Sequence, residues 1–222
     1  MSTNFQLINV DPDEIEDLLV KIEKSLGLHL ASDTFEGVTT FGKLCDVIEA
    51  NIKMEDVDDC TSQQAFYKFK KAVLKIIPDV LVTPGTPMKT ILPARDRRLK
   101  LKLIESELGY KLSLLRAPHW LTGSFLFAAF VSFIALFLKW EAGFIGLIAS
   151  VSAIKIANLF GNVLDLQTVG DVALKMMREH YLLSRRNAQT VNKDEIRKLI
   201  RDWFSDELGL EESELGGDAK FC

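Results

Sequence analysis

The side chains best suited to metal binding or nucleophilic attack are His29, His119 and His180, together with Cys45, Cys60 and Cys222. Zinc ligands come in short-range pairs and catalytic cysteines need a partner base, but these six residues are widely scattered. No H-E-x-x-H, CxxC, G-x-S-x-G or phosphate-binding glycine loop occurs. Cys60 stands just before an expected helix, whose N-terminus favours a thiolate, while the neighbouring Asp58 and Asp59 oppose one. The acidic run Glu55-Asp56-Val57-Asp58-Asp59 has charge to attract Ca²⁺ but lacks EF-hand spacing and the terminal glutamate, so it reads as a solvated loop. The chain is therefore expected to be non-catalytic, with no cofactor and no metal site.

The charged residues are distributed very unevenly. The 222 residues are 48% apolar and 26% charged, with a net charge of −4. Residues 121–164, however, contain only Lys139, Glu141 and Lys155 as charged groups. Such segregation is the composition of a membrane protein. The acidic balance excludes a nucleic-acid partner, which would call for clustered Lys and Arg over a whole face. An odd number of scattered cysteines argues against a disulfide framework and fits reduced, cytoplasmic thiols. The early Asp11, Asp13, Glu14, Glu16 and Asp17 predict no secretory signal, and Cys222 is not in a prenylation box.

Residues 121–138 read LTGSFLFAAFVSFIALFL, long enough to cover most of a bilayer core of about 30 Å. A second apolar run follows from Ala142 to Leu164, and one straight helix through both would reach about 65 Å. The chain must therefore turn, with Lys139, Trp140, Glu141 and Gly143 as the expected turn. Trp120, Lys139 and Trp140 are interface anchors, because an indole is apolar in body and polar at one edge. Lys155 can bury its stem and extend its ammonium to the interface; its alternative use is as a transport residue in an oligomer. Gly143, Gly146, Ala149, Ser150 and Ala153 allow close helix packing within the hairpin or between chains.

Basic residues set the expected orientation. Arg95, Arg97, Arg98, Lys100, Lys102, Lys111 and Arg116 precede the first span, and Lys175, Arg178, Arg185 and Arg186 follow the second, whereas the turn offers only Lys139. The sequence thus predicts an integral, multi-pass protein with both termini cytoplasmic and the lipid bilayer as first partner. The helix expected over 95–108 is basic and amphipathic. Arg95, Arg97, Arg98, Lys100 and Lys102 are candidate contacts for lipid headgroups, although Asp96, Glu105 and Glu107 dilute the charge and a simple solvated face is the alternative.

The flanks have helical grammar. Asp11-Pro12-Asp13-Glu14 starts one helix, Ile15, Leu18, Leu19, Ile22 and Leu26 repeat along it, and Gly27 ends it. Thr39 or Thr40 opens another, Thr61-Ser62-Gln63-Gln64 supplies a capping box for a third, and Thr83 to Pro87 reads as a linker. A helix over 168–183 and one capped at Asn192 complete the pattern. The expected fold is all-α: a two-helix transmembrane hairpin (118–164) between an N-terminal helical region (1–82) with its linker and juxtamembrane helix (83–117) and a C-terminal region (165–222).

Thr40-Phe41-Gly42-Lys43-Leu44 and Thr168-Val169-Gly170-Asp171-Val172 share a T-[FV]-G-x-[LV] pattern, each opening an amphipathic helix. In that setting residues 18–52 resemble the latter half of an acyl carrier protein, and residues 194–221 are similar to its first helix and following loop. The halves occur in reversed order, and the resemblance implies a split bundle closed by bringing the flanks together. The Asp-Ser-Leu segment that carries phosphopantetheine in that family is absent, so the resemblance implies shape and an interaction surface rather than acyl transfer. The leading expectation is a membrane-anchored interaction or scaffolding protein with a protein partner and a tendency to homo-oligomerise. An accessory factor in acyl or lipid metabolism and a small oligomeric transporter component are the alternatives.

Overall fold

Helices carry most of the chain, and the reasons for several of them lie at their ends. The computed structural model describes residues 6–7 and 11–221, so Cys222 lies outside the described residues. In chain order the elements are β1 (Gln6–Leu7), α1 (Pro12–Leu26), α2 (Phe41–Asn51), β2 (Glu55–Asp56), α3 (Thr61–Ile76), α4 (Met88–Ile91), α5 (Arg97–Leu108), β3 (Leu115–Arg116) and α6 (His119–Leu138). They continue with α7 (Trp140–Leu159), β4 (Val163–Leu164), α8 (Val169–Glu179), α9 (Tyr181–Ser184), β5 (Thr190–Val191), α10 (Lys193–Leu208) and β6 (Lys220–Phe221). The fold is all-α as expected: every strand is two residues long and merely pairs distant segments, β1 with β6 and β2 with β5 in parallel, β3 with β4 antiparallel.

Local chemistry accounts for the boundaries. Asp11 caps α1 by accepting from the Asp13 N–H at 3.1 Å, and Gly27, at φ 59°, closes it in the left-handed region where a side chain would be strained. Thr40 caps α2 and Asn192 caps α10. Thr61 does not act as a cap, because its hydroxyl accepts from Arg185 Nη1 at 2.7 Å while the Glu195 carboxylate takes its N–H at 2.9 Å. A tertiary partner has replaced the local one. The helix expected over 168–183 breaks at His180, where the Tyr181 N–H turns to Ser25 Oγ at 3.2 Å.

The chain divides into two units, one joining the segments up to Lys68 and from Val172 onward, the other spanning Phe69–Asp171. In the first, α1, α2 and α10 share one core: Leu18, Ile22 and Leu26 meet Phe41, Leu44 and Ile48, and Ile196, Leu199, Ile200 and Phe204 complete it. Phe41 and Phe204 pack edge to face at 5.2 Å. The N- and C-terminal flanks therefore form a single bundle, each large side chain contributing about 1.5–3 kcal/mol by leaving water. In the second unit Phe69, Val73, Met88, Ile91, Leu92, Leu101, Ile104, Leu112 and Leu114 are buried, and the α6–α7 hairpin is carried between β3 and β4.

Each unit contains the same backbone joint. In the first, the Phe41 N–H donates to Ala219 O at 2.8 Å, the Gly42 N–H donates to Gly217 O at 3.0 Å, and Thr40 bridges Lys220. In the second, the Val169 N–H donates to Thr86 O at 3.0 Å, the Gly170 N–H donates to Pro84 O at 2.7 Å, and Thr168 bridges Pro87. The T-[FV]-G pattern is thus a docking device: the helix N-terminus grips a loop through two successive N–H groups, and glycine lets the loop approach. The segment from Thr83 to Pro87 is one of these gripped loops rather than a free linker.

Candidate functional site

The largest unpaired feature is the surface of α6 and α7. Each helix has 20 residues and reaches about 30 Å. No residue of α6 is buried, although its sequence is almost entirely apolar, and Leu126, Phe130, Phe133 and Phe137 stand exposed beside Phe144, Ile145 and Ile148 of α7. Both helices are long and apolar enough to cross a membrane. They run antiparallel: a Cβ on Gly143 would lie 2.4 Å from Leu136 N, and one on Gly146 2.4 Å from Ser132 Oγ. The turn is tighter than the sequence suggests, because Trp140, Glu141 and Gly143 belong to α7 and Lys139 alone joins the helices.

Polar and aromatic residues mark the two ends of this surface. Trp140 is 71% exposed at the tip beside Lys139, and Trp120 is 72% exposed at the start of α6. Lys155 is exposed on the last turns of α7, near the same end as Trp120. Ser124, Ser132 and Ser150 donate to the carbonyls four residues back, so these hydroxyls are satisfied within their own helices.

The base of the hairpin is clamped. Leu115 and Arg116 pair with Leu164 and Val163, and Arg116 Nη2 meets Asp165 Oδ2 at 2.7 Å. Arg97 donates through Nε to Leu92 O at 2.9 Å and through Nη1 to Asn162 O, while Asn162 Nδ2 donates to Ala94 O at 3.1 Å. Arg98 donates to Gly161 O at 3.2 Å and lies 5.7 Å over the Phe160 ring. Two cations thus meet backbone carbonyls just beyond the end of α7, the favourable sign of charge for a helix C-terminus. Gly161 is needed here, since a Cβ would come within 2.2 Å of the Arg116 carbonyl carbon. Of the five candidate headgroup residues, Arg97 and Arg98 thus fasten the hairpin, Lys100 is half-buried, and Arg95 and Lys102 are exposed.

Of the residues singled out for chemistry in the first unit, Asp59 and Cys45 serve packing, while His29 and Cys60 are exposed. Asp59 pairs with Arg185 Nη2, and the Arg185 side chain is fully buried, donating also to Thr61, Tyr181 and Thr190. This knot ties the acidic loop to α9 and β5. Burial pushes the Tyr181 phenol up, and it pushes the Cys45 thiol up to about 12, leaving Cys45 unreactive. Cys60 is exposed, with Sγ 3.2 Å from Ser62 Oγ. Among the described residues no group of three or more His, Cys, Asp or Glu side chains is placed to hold a metal ion. The sequence offered Arg185 only as a topology determinant; its burial depends on partners more than a hundred residues away and has no local signature.

No family model, curated protein or solved structure matches the chain.

Proposed function

We propose that the protein is a non-catalytic, membrane-anchored interaction or scaffolding protein. The α6–α7 hairpin crosses the bilayer twice, both flanks lie on the cytoplasmic side, and the helical bundle recruits a protein partner. The observation that carries this reading is α6: twenty residues, most of them apolar and none buried, a surface that water would penalise by roughly tens of kcal/mol at about 25 cal/mol per Å². The pairing of β3 with β4 supports it further by keeping both ends of the hairpin together. Alkaline carbonate extraction of membranes, with protease access to tags at both termini, tests it. Retention in the pellet with both tags protected in right-side-out vesicles is expected; release of the chain into the soluble fraction overturns the anchor.

A second reading, an accessory factor in acyl or lipid metabolism, draws support from the shared core of α1, α2 and α10, which joins the two stretches that resemble halves of an acyl carrier protein. Without an Asp-Ser-Leu serine this bundle would offer a carrier-shaped surface and no arm. Mass spectrometry after co-expression with a phosphopantetheinyl transferase is expected to show no added mass, and an addition would make the chain a working carrier.

A further inference from the structure

The outer face of α5 stands apart from the rest of the basic segment. Leu101 and Ile104 turn inward and are buried, whereas Leu99 and Leu103 are 64% and 42% exposed. At helical spacing Leu99, Lys102 and Leu103 share one face, with Arg98 at its edge and Arg95 in the turn just before. Two of the three acidic residues that would dilute this face are occupied: Glu105 accepts from the Leu112 N–H at 2.8 Å and Glu107 pairs with Lys75, while Asp96, in the turn before α5, stays exposed and makes no side-chain capping bond. Arg95, Lys100 and Lys102 hold no side-chain hydrogen bond or ion pair among the described residues. The clamp through Arg97 and Arg98 holds the start of α5 at the end of α7, where a spanning hairpin leaves the hydrocarbon.

The molecule contains its own control. Gly27 and Gly109 end α1 and α5 in the same left-handed conformation, each donating its N–H to the carbonyl of a glutamate, Glu23 or Glu105. Aligned on those glycines, buried Ile22 matches Ile104 and half-buried Leu19 matches buried Leu101, while the exposed positions differ in kind. Asp13, Glu16, Asp17 and Val20 of α1 stand where α5 and its preceding turn have Arg95, Arg98, Leu99 and Lys102. One backbone plan presents an acidic face to water in one unit and a basic, leucine-bearing face in the other.

We infer that α5 is an interfacial helix that docks on anionic phospholipid: Leu99 and Leu103 enter the boundary between headgroups and chains, and Arg95 and Lys102 meet the phosphates. This rests on the hairpin anchor and names the lipid that the anchor's base selects. The full chain, reconstituted in phosphatidylcholine vesicles, is probed by electron spin resonance with chain-labelled phosphatidylglycerol and phosphatidylcholine, reading the motionally restricted fraction of each. The native chain is expected to prefer the phosphatidylglycerol probe roughly fivefold, the equivalent of about one well-placed basic contact. Arg95→Gln/Lys102→Gln brings the ratio close to one, with the phosphatidylcholine signal unchanged, while the control Lys89→Gln leaves the ratio intact. A native ratio of one, with the chain still carbonate-resistant, overturns the lipid surface and spares the anchor; loss of the chain from the vesicles overturns the anchor itself. A dimer that Leu99→Ser/Leu103→Ser dissociates, together with a native ratio of one, assigns the face to a second copy instead.

Discussion

The two units share a joint and differ in what they expose. Both hold a helix N-terminus against a loop through successive N–H groups of a T-[FV]-G segment, Phe41 and Gly42 in one, Val169 and Gly170 in the other. The first unit has 14 basic and 24 acidic residues, a balance of −10, whereas the second has 13 basic and 7 acidic, a balance of +6. The first closes on a core of side chains drawn from both flanks, and the second carries an apolar hairpin that nothing covers. The same local plan thus supports an acidic bundle closed on its own core and a basic unit that carries an exposed apolar hairpin. Surface chemistry, rather than backbone, separates the roles.

The largest effect should come from removing what only one unit has. Because β3 and β4 bring residues 115–116 and 163–164 side by side, replacing 118–161 with a short Gly-Ser linker should leave a folded, helical protein in the soluble fraction. Centrifugation and circular dichroism check this, and a chain that stays in the membrane would locate the anchor elsewhere. Next in size is Arg185→Ala, which strands Asp59, Thr61 and Tyr181 and should destabilise the first unit by about 3 kcal/mol, with Asp59 retaining some solvent. Hydrogen exchange resolves the loss by unit; equal loss of protection in the second unit would show that the two do not open separately.

A finer comparison uses the shared joint. A Cβ on Gly42 would meet Gly217 O at 2.6 Å, while one on Gly170 would meet Pro84 O at 3.1 Å. Gly42→Ala should therefore cost about 1–3 kcal/mol and Gly170→Ala less than about 1 kcal/mol, read from urea unfolding in micelles. The reverse order would mean that the first loop yields more easily than the second. The smallest effect concerns the cysteines. Cys60 should react rapidly with a thiol reagent and Cys45 only on unfolding. With the Cys45 thiol held up to about 12 against an ordinary value of 9.0, the unfolded chain loses this proton first, so stability should fall as pH rises through that interval. Cys45→Ala should flatten the slope, and an unchanged slope would assign it to other groups such as Tyr181.

Much of the fold could be read from local signals. The Asp11-Pro12 start and Gly27 stop of α1, the Thr40 and Asn192 caps, and the uncharged run of α6 all act within a few residues. What failed to appear locally was decided by distant partners. Thr61 looked like a cap until Arg185 claimed its hydroxyl, and Thr83 to Pro87 looked like a linker until Val169 and Gly170 gripped it. The basic residues before the hairpin were visible as charges, but nothing in their spacing separates Arg97 and Arg98, which clamp carbonyls, from Arg95 and Lys102, which do not.

The first unit is assembled from segments made far apart in time. On a ribosome α1 and α2 emerge early, yet the side chains that cover them belong to α10 and the loop carrying Gly217 and Ala219. Until those arrive, Leu18, Ile22, Phe41 and Ile48 lack the α10 side chains that complete their core, and the hairpin has already been synthesised. With the proposed anchor, membrane insertion would precede completion of the bundle. A nascent chain stalled or cut before α10 would be anchored but open, displaying a greasy, unfinished surface to chaperones and proteases, so the order of synthesis itself sorts whole molecules from truncated ones.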